Sequence, residues 1–157
     1  MEKPTENSPG IIESLAEIEK SVGGLYEAYG NLFPAQQPFW QGLANEEIEH
    51  AAWLGKLAEL VTQGRATLNE KRFNRIAAQS FLNYLKEETA KVSRREVTLL
   101  NAAVVALYLE ESVIEHNFYE VVAGDDPELR NTFDHLAGAT RVHTQRVRDF
   151  LVKVRTA

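Results

Sequence analysis

Between Trp40 and Val61, apolar residues recur at alternating steps of three and four, and two places in that seam belong to a carboxylate and an imidazole: Trp40, Leu43, Glu47, His50, Leu54, Leu57, Val61. The period is that of a helix that buries one stripe. Glu47 and His50, three residues apart, share that stripe. An unpaired buried carboxylate costs several kcal/mol, whereas a whole domain has a net stability of only about 5–15 kcal/mol. A chain with this seam must therefore fold so that the acid meets a proton, a hydrogen-bond donor or a cation.

Three further segments carry the same period. Residues 11–32 place Ile11, Ile12, Leu15, Ile18, Val22, Leu25, Tyr26 and Tyr29 on one stripe. Residues 96–123 repeat Leu100, Val104, Leu107, Ile114, Phe118 and Val121, and the stretch after Pro127 repeats Leu129, Phe133, Leu136, Val147, Phe150, Leu151 and Val154. Pro34 suits the first turn of the second helix, Gly64 its stop, and Asp126 with Pro127 the start of the fourth. No segment alternates with period two over a useful length. Four helices predict an all-α antiparallel four-helix bundle. Residues 69–92 are helix-prone over a shorter range and predict a long, partly helical crossover between the second and third helices. Residues 1–9, polar with two prolines, predict a flexible tail ahead of a single domain over 10–157.

The seams hold a matching set of polar residues. Pro34 precedes Ala44 by ten residues, Pro127 precedes Ala137 by ten, and a His follows each Ala six residues later, as His50 and His143. The fourth helix reads Leu129, Phe133, Leu136, Thr140, His143, Val147, Phe150, so Thr140 falls where the second helix has Glu47. The first helix contributes Glu19 and the third Glu110 or Glu111. The stripe favours Glu111, four residues from Leu107 and seven from Phe118, and Glu115 lies one turn beyond it. Taken singly, each Glu reads as a solvated face and each His as a satisfied core residue. Their coincidence on four helices points instead to one centre. The seams of the second and fourth helices contain no Lys or Arg, and oxygen with imidazole nitrogen suits iron or manganese.

Composition removes other chemistries. The absence of Cys excludes disulfides, zinc-thiolate sites, rubredoxin-type iron and thiol catalysis. A net charge of -6 argues against nucleic acid as a partner. The polar first residues do not resemble a signal peptide, and no apolar run is long enough to span a membrane, so a cytoplasmic protein is the expectation.

The chain resembles the rubrerythrin-like branch of the ferritin-like superfamily over residues 11–154. The matching residues are Glu19 with Tyr26, the run Leu43-Ala44-Asn45-Glu46-Glu47-Ile48-Glu49-His50, Ala106-Leu107-Tyr108-Leu109-Glu110-Glu111 through Phe118-Tyr119, and Leu136-Ala137 with His143. The resemblance implies a bundle holding two irons, with Glu47 bridging, Glu19 and a third-helix Glu as terminal ligands, and His50 and His143 giving one nitrogen to each metal. From Ala106 the family pattern points to Glu110 rather than Glu111. It implies no catalytic residue beyond these ligands, a reaction with oxygen or peroxide or the oxidation of ferrous iron, an external electron donor, and a homodimer. Thr140 departs from the family, which has a second bridging Glu there. The alternative expectation is a metal-free or degenerate bundle that acts as a structural or interaction protein.

Overall fold

The computed structural model describes residues 8–112 and 121–157. Among them the chain is almost entirely helical: α1 (Ser8–Leu32), α2 (Gln37–Thr62), α3 (Arg75–Ser93), α4 (Leu99–Glu111) and α5 (Pro127–Thr156). A 3₁₀ turn at Pro34–Gln36 joins α1 to α2, so the two run antiparallel. α1 packs along α2 and α4 along α5, α2 meets α5, and α3 lies against α1. A two-residue strand β1 (Thr67–Leu68) pairs antiparallel with β2 (Val122–Ala123), tying the connection after α2 to the one before α5.

Local chemistry sets the helix ends. Asp126 accepts from the Glu128 N–H at 2.9 Å to cap α5, with Pro127 behind it. Thr98 and Asn101 form a reciprocal capping box that starts α4. Asn74 caps α3 by accepting from Ala77. Gly64, at φ +73°, follows the end of α2. The expected crossover contains a complete helix, α3, preceded by a 3₁₀ turn at Glu70–Arg72. The expected third helix over 96–123 is shorter than its apolar period suggested. It begins at Leu99, because the capping box leaves Glu96 and Val97 outside, and it stops at Glu111. Ser112 turns extended at ψ 151°, and its hydroxyl donates to the Leu109 carbonyl at 2.6 Å, which offers that carbonyl a partner other than the next helical turn. Val122 and Ala123 are then extended. Ile114, Glu115, Phe118 and Tyr119 lie outside the described residues, as does most of the expected N-terminal tail.

The core falls into two apolar clusters. One gathers Val22, Tyr26, Tyr29, Trp40, Leu43, Leu85, Ala106 and Val147. The other gathers Ile11, Leu15, Leu54, Leu57, Val121, Leu129 and Leu136. Buried polar residues occupy the belt between them: Glu19 between Leu15 and Val22, Glu47 and His50 between Leu43 and Leu54, and His143 between Leu136 and Val147. No helix among the described residues is long and apolar enough to cross a membrane.

Candidate metal centre

The seam of α2 brings Glu47 and His50 inward, each 3% exposed. Glu19 comes from α1, which approaches α2 closely here: a Cβ on Gly23 would sit 3.3 Å from the Glu47 Cβ. α4 supplies Glu110 and α5 supplies His143, both buried. Glu47, His50 and His143 each offer one ligand atom within 4.8 Å of the others, so the described structure contains a buried group that can hold a metal ion.

Both imidazoles face the acids through Nδ1. His50 Nδ1 is 3.5 Å from Glu47 Oε2 and 3.9 Å from Glu19 Oε2. His143 Nδ1 is 3.6 Å from Glu47 Oε1 and 3.8 Å from Glu110 Oε2. The Glu47 carboxylate therefore turns one oxygen to each imidazole, and the two rings lie nearly parallel, 17° apart with centroids at 4.8 Å. Glu19 thus lies beside His50 and Glu110 beside His143, with Glu47 between the two pairs. Tyr26, fully buried, donates to Glu110 Oε1 at 2.7 Å and fixes that carboxylate.

The electrostatics show a centre short of positive charge. Burial, then the Glu47 charge, pushes the Glu19 carboxyl well above the usual carboxylate range. The same two causes push Glu110 up to about 8. Burial lowers His143 below an ordinary imidazole, although Glu110 and Glu46 act against it. The Tyr26 phenol is raised by burial and by Glu110. His143 Nδ1 is buried with no hydrogen-bond partner. Carboxyls that resist ionisation and an unpartnered imidazole nitrogen, all aimed at one volume, fit a divalent cation.

Of the residues named from sequence, Glu19, Glu47, His50, Glu110 and His143 converge. Glu111 does not: it is half exposed and pairs with Arg148 at 2.7 Å. The family pattern pointed to Glu110, the acid that the structure turns toward His143, whereas the apolar stripe pointed to Glu111. α4 is apolar nearly all round, so its stripe has no clear phase. Thr140 supplies no carboxylate, and its hydroxyl donates to the Leu136 carbonyl at 2.8 Å. Glu46 was missed. It stands 2.6 Å from His143 Nε2 and 2.5 Å from Arg146. No local spacing signals it, because the groups it meets lie on another helix.

Beside the centre lies a cavity of about 20 Å³, lined by Glu19, Glu47, Glu110, Val22, Phe81 and Leu109 and by neither imidazole. A space of this size takes about one water-sized molecule. Compared with models of protein families, with curated proteins and with solved structures, the chain gives no match.

Proposed function

We propose that the chain is a rubrerythrin-like non-haem iron protein of ferritin-like fold, with a two-metal carboxylate centre that reacts with oxygen or peroxide, or oxidises ferrous iron. The observation that carries this reading is the Glu47 carboxylate, whose two oxygens face two different imidazoles, each with its own terminal acid. That arrangement addresses two cations rather than one. The antiparallel α1–α2 pair and the packing of α4 along α5 support the ferritin-like fold.

Iron held there supplies one-electron steps to a small oxidant. The protein's own part is to bind, orient and exclude. Glu47 holds the two half-sites together, and Tyr26 keeps Glu110 in one orientation. The adjacent cavity has room for a molecule the size of water or a diatomic. The apolar clusters on either side keep bulk water away. The chain lacks the Cys of a rubredoxin-type centre, so the reading includes an external electron donor. It also includes a homodimer, which α4 can serve with exposed Leu100, Val104 and Tyr108. Manganese satisfies the same ligand set.

Anaerobic loading with ferrous iron, metal analysis and spectroscopy before and after peroxide test the proposal. The expected result is about two ions per chain and an iron spectrum that peroxide changes. A chain that takes up no metal, or one whose uptake Glu47→Ala leaves unaltered, ends it. Thr140, with its hydroxyl on the Leu136 carbonyl, favours a second reading in which the bundle is metal-free and acts through its surface. Under that reading Glu47→Leu and His50→Leu raise stability, because apolar groups replace buried polar ones.

A further inference from the structure

The chain holds five Tyr and two Trp, and five of these seven rings form one file from the centre to the surface. Tyr26 starts it, fully buried, with its hydroxyl on Glu110 at 2.7 Å. Trp40, equally buried, stands next at 5.9 Å between ring centroids, and Tyr29 follows at 4.9 Å from Trp40. Tyr84 packs against the same cluster. Burial, then the charge of buried Glu88, raises the phenols of Tyr29 and Tyr84 alike, and Tyr84 bears on Tyr29 in turn. Tyr108 meets Tyr84 edge-on at 5.5 Å and is 55% exposed on α4.

Packing alone does not account for these ring types. The Trp40 indole N–H and the Tyr29 hydroxyl are buried with no hydrogen-bond partner. A buried donor without a partner gives up its hydration for nothing, so a wholly apolar ring would fill either place at lower cost. What indole and phenol offer beyond such a ring is the ready loss of one electron.

We propose that Tyr26, Trp40, Tyr29, Tyr84 and Tyr108 form an electron relay between the centre and the exposed face of α4, where a one-electron donor delivers its electrons. The proposal rests on the metal reading above and names where the external donor of that reading acts. Peroxide takes up electrons at the centre and, with protons from water, becomes water. Tyr26 supplies each electron, and its proton shifts to Glu110 along the hydrogen bond between them. Trp40 refills Tyr26, whose proton returns. The indole has no acceptor for its own proton, so Trp40 is left as a radical cation that keeps its N–H. Tyr108 refills Trp40 across the rings of Tyr29 and Tyr84, where the Glu88 charge favours a passing positive charge, and gives its own proton to water. The donor's electron and a proton from water restore Tyr108. Each passage moves one electron from donor to centre and leaves the five rings unchanged.

The iron-loaded full chain, treated with peroxide and a nitroso spin trap, tests this by the site of the trapped radical, read by mass spectrometry, and by the tyrosyl signal in electron paramagnetic resonance. Wild type is expected to carry the trap on Tyr108. Trp40→Phe is expected to lose that adduct while iron content stays the same. Tyr84→Leu, which removes a ring that is only half buried, is expected to lose it too and covers the case in which circular dichroism shows Trp40→Phe unfolded. Tyr108→Phe, an exposed change, is expected to abolish the surface adduct while a tyrosyl signal persists inside the chain. A Tyr108 adduct that survives Tyr84→Leu or a folded Trp40→Phe, or a wild-type adduct elsewhere with none on Tyr108, overturns the relay. If the chain meanwhile takes up iron and consumes peroxide, the relay alone is lost. A chain that takes up no iron overturns the metal reading and the relay with it.

Discussion

The run from Pro34 through Ala44 to His50, which enters and follows α2, carries two inward groups one turn apart, whereas the matching Pro127, Ala137 and His143 on α5 carry one. The two imidazoles nonetheless lie side by side and turn Nδ1 to the same acid, Glu47. Their support differs. His50 meets Glu47 on its own helix at 3.5 Å, a contact that i, i+3 geometry supplies locally. His143 is placed by partners from elsewhere, Glu46 and Glu47 from α2 and Glu110 from α4. One repeat can thus place two similar imidazoles by a local route on one helix and a tertiary route on the other.

Removing the group shared by both halves breaks the comparison most completely. Glu47→Ala is expected to cost more than the roughly 10–100-fold in affinity that loss of a supporting residue costs, and to remove both ions, as read by calorimetry and metal analysis. Removing one imidazole at a time separates the halves. His50→Ala and His143→Ala are each expected to lower the metal content from about two ions to about one. If either variant retains full content, the assignment of one imidazole to each half is wrong. Thr140→Glu makes the helices alike. It is expected to cost the metal-free chain on the order of 2 kcal/mol, by adding a partly buried acid, and to tighten binding of the second ion. Tighter binding in titration without the loss of stability in denaturant unfolding would place position 140 outside the centre.

The metal-free protein gives a fourth measurement. The native Glu110 carboxyl titrates near 8 against an ordinary 4.5, so between those values the folded state keeps a proton that the unfolded chain releases. Its stabilising contribution is full below pH 4.5 and is lost as pH rises to about 8, and Glu19 acts in the same direction. His143, lowered by burial, acts oppositely by disfavouring the fold as pH falls below 6.5. With two carboxyls against one imidazole, the melting temperature of the metal-free chain is expected to fall from pH 5 to pH 8, and divalent metal to reverse the trend. A metal-free melting temperature that rises over this range contradicts the electrostatics described. The smallest effect belongs to Glu111→Ala. Loss of its exposed pair with Arg148 is expected to change stability by less than about 1 kcal/mol and metal content not at all.

The difference between α2 and α5 also marks how far the centre was legible. Glu19, Glu47, His50 and His143 stood out because each interrupts an apolar seam of steady period, which fixes the inward direction. Glu110 and Glu111 could not be separated that way, since α4 is apolar on nearly every side and either phase fits. The end of α4 was likewise hidden: the apolar period continues past Ser112, yet the Ser112 hydroxyl takes the Leu109 carbonyl and the backbone turns away. Glu46 sits beside the seam rather than in it, where a carboxylate reads as solvated.

By itself, the sequence determined that the chain is helical, where its last helix begins, and that acids and imidazoles interrupt the buried stripes, because period, caps and prolines act over a few residues. Only the tertiary structure decided which of two adjacent acids on α4 turns inward, that Glu46 reaches across to His143, and that Glu47 lies between two imidazoles. Those outcomes depend on the relative rotation and spacing of separate helices, which side-chain packing sets and no local pattern encodes.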